Sequence, residues 1–320
     1  MHSVHVQRLP LSPKKKNWRK IATREIRRYQ LYILIILPLV YLLVFHYGAM
    51  YGLILSFKNY NPTKGILGSP SVGLKHFVRF FNSRDFGMLL KNTLTLSLYS
   101  LSVTFPMPII LALAIHSCRS NRYKKIVQMS TYAPYFLSVT VVVSMMNQFF
   151  AEKTGVVNTM IFAMTGTRIS FLTRPNAFAH MYVWSDVWQQ TGYNAIIYIA
   201  ALAGVDPTLH EAATVDGANK FQRMWHVDLP SILPTITILL ILRMGAIMNV
   251  GFEKVYLMQN PMNIRKSQII NTYIYQQSIG SQIPNFSYST AVGLFNSVIN
   301  FVLLLIVNTT ANRINDSGLF

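Results

Sequence analysis

Acidic residues are scarce: ten Asp and Glu stand against 29 Lys and Arg in 320 residues. All charged residues together make up 12% of the chain, against about 25% in soluble domains. That shortage excludes an ordinary cytosolic enzyme. A single cysteine, Cys118, excludes an internal disulfide and any thiolate cluster for structural zinc or an iron-sulfur centre. No Gly-x-x-x-x-Gly-Lys-Ser/Thr run occurs, so the chain builds no P-loop cradle for ATP. No His, Asp and Glu grouping has zinc-binding spacing, and the eight histidines are scattered. Apolar residues, by contrast, reach 52%, and the mean hydropathy of +0.33 excludes a disordered basic chain. The formal charge of +19 is therefore read as cationic flanks on a membrane protein, with no nucleic-acid partner.

Charge-free runs sharpen this. No Lys, Arg, Asp or Glu lies between Tyr29 and Phe57, Asn92 and Cys118, Ile126 and Ala151, or Ser267 and Asn312. A helix crossing a bilayer needs about 20 such residues. Ala177 to Gly204 holds only Asp186, and Ser231 to Met258 holds Arg243, Glu253 and Lys254. The expectation is an all-α membrane protein with about six transmembrane helices, near 31–57, 93–116, 126–150, 177–204, 231–257 and 287–309. The domain division expected is a basic segment 1–30, a transmembrane domain 31–312 with a loop at 205–230, and a tail 313–320.

Arg8, Lys14, Lys15, Lys16, Arg19, Lys20, Arg24, Arg27 and Arg28 precede the first run, and Arg119, Arg122, Lys124 and Lys125 follow the second. Basic density next to the membrane predicts that both termini face the cytoplasm. The leader does not read as a cleaved signal peptide, because its apolar run is too long and no small-residue pattern ends it. Trp18, Ile21 and Ile26 among its charges fit an amphipathic helix on an anionic membrane surface, or equally a basic tail that only sets orientation. Loops 58–91 and 151–176, expected outside, are rich in Gly and Pro and read as turn-rich docking surface.

The 205–230 loop carries the strongest motif. Asp206-Pro207 opens a short helix over Pro207 to Val215 that contains Glu211, Ala212 and Ala213. Gly217, after Asp216, can take the positive φ that ends it, and a second short helix runs from Ala218 toward His226. Pro230, after Leu229, marks the start of helix five. The two alanines remove bulk where another protein could press on the backbone, while Glu211 and Asp216 offer carboxylates to partner arginines.

Glu-Ala-Ala, a glycine four residues after the second alanine, and a later Leu-Pro resemble the EAA motif of permease subunits in binding-protein-dependent ABC importers. The matching positions are Glu211, Ala212, Ala213, Asp216, Gly217, Ala218, Leu229 and Pro230, with Val227 where that family often has isoleucine. Runs such as Ser56 to Pro62, Val72 to Phe77, Asn92 to Leu94, Asn249 to Tyr256 and Ala291 to Asn296 resemble the maltose-importer-like branch, in its polysaccharide subgroup that takes alginate and pectin fragments. The resemblance covers most of residues 29 to 312 and implies the type I importer permease fold in a bacterial inner membrane. It implies a coupling helix seated on the ATPase, a second homologous permease, two ATPase subunits and an extracytoplasmic solute-binding protein. ATP and Mg2+ then belong to the ATPase, and this chain holds no cofactor and performs no catalysis.

Polar residues inside the runs mark a path for a sugar. Trp184, Asp186, Trp188, Gln189, Gln190, Tyr193 and Asn194 lie in helix four, with Asp186, Gln190, Tyr193 and Asn194 at helical spacing, and helix five adds Arg243, Asn249 and Glu253. Two other readings stay open: the polar groups join helices through buried hydrogen bonds, and the tryptophans anchor at the membrane interface. Asp186, Arg243 and Glu253 would also suit a proton-coupled secondary transporter, although no repeated hydropathy pattern supports one. A membrane-embedded enzyme would need an acid-base constellation, and none stands out. Loops 58–91, 151–176 and 259–286 carry Lys58, Lys64, Lys75, Arg79, Arg84, Lys91, Lys153, Arg168, Arg174, Arg265 and Lys266 against Asp85 and Glu152. A receiving face of that charge favours an acidic, alginate-like oligosaccharide; lipid headgroups, an acidic binding protein or a neutral cargo are the alternatives.

Overall fold

Backbone polar groups in a bilayer must be satisfied within their own segment, so long charge-free runs become helices. The computed structural model describes residues 29–315, with side chains from 32 to 313, and within these the chain forms helices joined by turns and loops, with one isolated bridge between Lys58 and Ser71. Readings of the leader's first 28 residues and of residues 316–320 lie outside the described residues.

The chain divides after Leu53 into two compact units. In the first, α1 (Tyr29–Tyr41) passes through a π turn (Leu42–Tyr47) into further helix. The second begins at Ile54 and holds the remaining elements. There α2 (Phe86–Thr104) and α3 (Pro106–Ser117) form one run of 32 residues, seven residues earlier in its start than the charge pattern predicts. Lys91 therefore sits on a helix rather than in a loop.

The helix expected at 126–150 is broken. Ser120 caps α4 (Asn121–Tyr132), a 3-10 turn follows, and α5 (Val139–Phe149) departs at 98° with Ser138 capping its first turn. Pro134 in the turn has no N–H to continue the ladder, and the Ser138 hydroxyl, accepting from the Val141 N–H, starts a new one. The long helix α6 (Phe178–Ala203) stays continuous over 26 residues. In the 205–230 loop, α7 (Pro207–Val215) is followed by α8 (Lys220–Arg223), a π turn and Leu229–Ser231.

The helix expected at 231–257 differs at both ends. It opens at Leu233 with Pro234 in its first turn, not at Pro230, and α9 (Leu233–Gly245) stops well short of 257. Residues 246–251 are irregular before α10 (Phe252–Met258). Side chains of the last helix, α11 (Phe286–Asn315), hold this segment, one on its backbone and one on a side chain. Asn300 Oδ1 accepts from the Met248 N–H at 2.9 Å, and Asn296 Nδ2 donates to Asn249 Oδ1 at 3.0 Å. Irregular backbone at membrane depth requires such buried partners.

Among the described residues three helices are long and apolar enough to cross a membrane, or up to five if each bent pair is one span; α6 is long enough but too polar for that count. Short helices Lys75–Phe81, Val156–Thr165 and Ile270–Gln277 fill the connecting loops. One buried cluster joins Phe80, Met248, Tyr273 and Tyr288, and another joins Leu113, Ala195, Tyr198 and Ile232. Close backbone approach holds α6 to α4. A Cβ on Gly192 would lie 2.1 Å from the Thr131 carbonyl oxygen, so only glycine fits there.

Candidate functional site: an interior polar cavity and the 205–230 loop

Two regions of the second unit hold the candidate residues. The first is a polar cavity of about 150 Å³ lined by α2, α6 and the irregular 246–251 segment, including Ser97, Ser100, Asp186, Arg243 and Asn249. A neighbouring cavity of about 190 Å³ shares Arg243 and Thr104 with it and adds Asn194 and Tyr198. Asp186 and Asn249 line the first cavity, Asn194 the second, and Arg243 borders both; of the four helix-four residues placed on one face by spacing, Asp186 and Asn194 line these cavities and Gln190 and Tyr193 do not.

The other expected path residues separate from them. Gln189 is buried and donates to the Leu137 carbonyl at 2.9 Å, so it closes the break between α4 and α5. Trp184 and Trp188 line a different, apolar cavity of about 540 Å³ with Met145, Phe149 and Phe171. Tyr193 stacks on Tyr135, ring centroids 3.7 Å apart. Gln190 is half-buried and Glu253 exposed, and neither lines these cavities. The reason is angular: residues three and four apart share a face only roughly, and a 26-residue helix has neighbours on every side.

Sequence reasoning missed the residue that holds Asp186. Lys254, buried in α10, places Nζ 3.4 Å from the Asp186 carboxylate and 5.2 Å from the Tyr182 ring centroid. A paired cation makes Asp186 affordable at depth. The only signal in the sequence was that two charges in adjacent apolar runs had opposite sign.

The second region follows its motif closely. Asp206 caps α7 by accepting from the Thr208 N–H at 2.9 Å, which holds its carboxyl below the usual range. Gly217 has φ +79°, with the Gly217 N–H donating to Thr214 O and the Ala218 N–H to Ala213 O, the paired closure of a left-handed helix end. Asn219 and Gln222 then form a capping box for α8. Arg223 Nη1 donates to Thr214 Oγ1 at 2.7 Å and ties α8 back to α7. Glu211, Ala212, Asp216 and Pro230 are exposed, while Ala213, Ala218 and Leu229 are half-buried. Val215, Phe221 and Trp225 also stand out into solvent at 87, 67 and 57% exposure, so apolar surface flanks the carboxylates. Spacing also hid His116, His210 and Asp228, which converge where α3 meets the loop.

Residues 104–316 match the family described as the binding-protein-dependent transport system inner membrane component. The chain is 45% identical over 290 residues to protein LplB of Bacillus subtilis, covering 91% of each. It is 39% identical to the polygalacturonan/rhamnogalacturonan transport system permease protein YteP of the same organism, covering 96% of this chain and 95% of that one. A bacterial alginate ABC transporter, solved in complex with an alginate pentasaccharide-bound periplasmic protein, contains a chain that superposes with TM-score 0.85. The identity is 37%, over 95% of this chain and all of that one.

Proposed function

Because this chain belongs to the inner membrane components of binding-protein-dependent transport systems, and is a multi-pass permease of a sugar ABC importer, we propose that it moves an acidic oligosaccharide or polysaccharide into the cytoplasm by alternating access. The observation that carries the acidic reading is Arg243. This guanidinium lines both interior cavities and has no carboxylate within salt-bridge distance among the described residues, whereas Asp186 beside it is taken by Lys254. A fixed, unspent cation among Asn194, Asn249 and serine hydroxyls suits a uronate, whose carboxylate the guanidinium can take in fork geometry while amides meet hydroxyls. The relatives point the same way, since YteP is named for polygalacturonan and the superposed transporter for alginate.

In this reading a solute-binding protein delivers the sugar to the outer loops and their excess of basic residues. A second homologous permease completes the translocation path. Loop 205–230 docks on one of two ATPase subunits, which bind ATP and Mg2+, and both termini of the chain lie in the cytoplasm. The domain limits are those of the charge pattern: a basic segment to residue 30, the permease body, and a short tail. Glu211 and Asp216 meet partner arginines, the exposed Val215, Phe221 and Trp225 fill an apolar cleft, and Ala212, Ala213, Ala218, Leu229 and Pro230 shape the segment that is pressed. ATPase closure then acts on α7 and, through α9, on the 246–251 segment that borders the cavity.

A neutral oligosaccharide is the second reading, favoured by the amides and hydroxyls that outnumber Arg243 in the cavity. Stimulation of ATP hydrolysis by neutral and uronic-acid oligosaccharides of equal length, in the complete importer with its binding protein, separates the two. The acidic sugar is expected to stimulate more strongly, and a preference for the neutral one refutes the acidic reading while leaving the permease assignment untouched.

A further inference from the structure

The strongest unassigned arrangement joins three distant segments. His116 ends α3, His210 lies in α7 directly before Glu211, and Asp228 lies in the π turn ahead of Leu229-Pro230. Asp228 is 3% exposed, and its Oδ1 atom is buried without a hydrogen-bond donor aligned to it. Yet His210 Nε2 stands 3.1 Å from that oxygen and His116 Nε2 3.6 Å. The three ligand atoms all lie within 4.8 Å of one another. In a tetrahedral site with bonds of about 2.0–2.1 Å, neighbouring ligand atoms are about 3.3 Å apart. Both oxygen-to-nitrogen edges bracket that value.

We propose that His116, His210 and Asp228 form a binding site for a zinc-like divalent transition ion. Two imidazoles and one carboxylate are the donor set such ions take when a fourth position stays open. Magnesium and calcium prefer all-oxygen shells, so the nitrogen pair selects against them. The fourth position faces a cavity of about 410 Å³ whose wall carries Arg119, Lys220 and Arg223, which suits water or a small anion as the remaining ligand. Those cations weaken attraction for a bare divalent ion, so affinity has to come from the inner ligands. The two imidazoles are about 30% exposed, which leaves the ion a way in. Bound metal would fasten α7 and the turn before α9 to the end of α3. The site goes beyond the transport reading, because the metal is held whether or not α7 meets an ATPase.

The test uses the untagged full-length chain in its assembled importer, stripped with a chelator and titrated with Zn2+ against a chromophoric competitor and with Co2+ followed by absorption. One tightly held ion per chain is expected, with the intense visible bands of tetrahedral cobalt. His210→Ala should weaken binding at least tenfold and the His116→Ala/His210→Ala double variant should abolish it, with thermal unfolding of each purified variant showing that the permease is folded and His116→Gln/His210→Gln, which keeps amide donors beside Asp228, expected to lose the metal as well. Asp228→Asn should do the same, but its burial risks the fold, so the histidine variants decide. His2 and His5 remain in every variant and control for adventitious binding. Wild-type uptake no greater than that of the double variant, or weak octahedral cobalt bands, overturns the site.

Discussion

The 205–230 loop and the interior cavity, two regions of one unit, were built by different kinds of information. In the loop nearly every decisive hydrogen bond joins residues within nine positions: Asp206 to Thr208, Gly217 to Thr214, Asn219 to Gln222, Arg223 to Thr214. In the cavity the deciding partners are 47, 52 and 68 residues apart: Asn296 with Asn249, Asn300 with Met248, Lys254 with Asp186. Local bonds can be read from spacing. Remote ones depend on how helices pack, and changing one partner leaves the other stranded.

The contrast predicts the largest effect at the Asp186–Lys254 pair. Lys254→Met strands the Asp186 carboxylate, which is 25% exposed on the cavity wall, and should destabilise the permease by about 2–3 kcal/mol, less than the roughly 3–5 kcal/mol of breaking a fully buried pair. Asp186→Asn together with Lys254→Met should recover most of that. Thermal unfolding of the purified complex measures both, and a single variant as stable as wild type would show the pair to be solvated.

Next in size is Arg243→Ala. Loss of a charged hydrogen bond costs about 1.5–3 kcal/mol, or roughly 10- to 150-fold in uptake of a uronic-acid oligosaccharide. Assembly and uptake of a neutral analogue should change far less. Trp188→Ala, in the separate apolar cavity, should leave uptake close to normal, and an equal loss at both positions would merge what the structure keeps apart.

Gly217→Val tests the loop. No neighbouring atom lies within 4 Å of the added Cβ, so the cost is conformational alone, at least about 1–2 kcal/mol for a side chain at positive φ. Sugar-stimulated ATP hydrolysis should fall while membrane insertion persists, and Gly217→Asn, which tolerates that φ better, should restore most of it. Normal coupling in Gly217→Val would separate the turn from the proposed docking.

The smallest expected effect is a pH response in loop 58–91. Burial holds His76 below its ordinary value of 6.5, its Nε2–H donates to the Lys58 carbonyl at 3.1 Å, and its buried Nδ1 has no donor. The unfolded loop therefore takes up protons more readily than the folded one. Stability carried by His76 is complete above the ordinary value and declines as pH falls through it. The protection factors of the Asn59 and Val72 amides, which bond across this loop, that is, their exchange rates corrected for the intrinsic pH dependence of amide exchange, should fall below about pH 6.5 in wild type and lose that dependence in His76→Gln.

Legibility followed the same division. Charge-free runs located the bilayer helices because excluding charge from hydrocarbon is a property of each segment by itself. The breaks at Leu137-Ser138 and at 246–251 were not legible, because Asn296 and Asn300, which compensate the second, lie some fifty residues away. Helix-four periodicity put Asp186 and Asn194 on one face, and the two line neighbouring cavities. It could not tell that Gln189 turns to Leu137 or that Trp184 and Trp188 face another cavity, since period alone leaves each face without a named neighbour.

The amino-acid sequence by itself determined an all-helical membrane protein with a capped helix and a glycine reversal in its 205–230 loop, because hydropathy, proline, glycine and capping side chains act within a few residues of where they stand. Tertiary structure alone decided that Lys254 neutralises Asp186, that Arg243 has no carboxylate partner among the described residues, and that His116 and His210 meet at Asp228. Such pairings depend on the angles at which distant helices cross, and those angles are set by close packing such as Gly192 on Thr131.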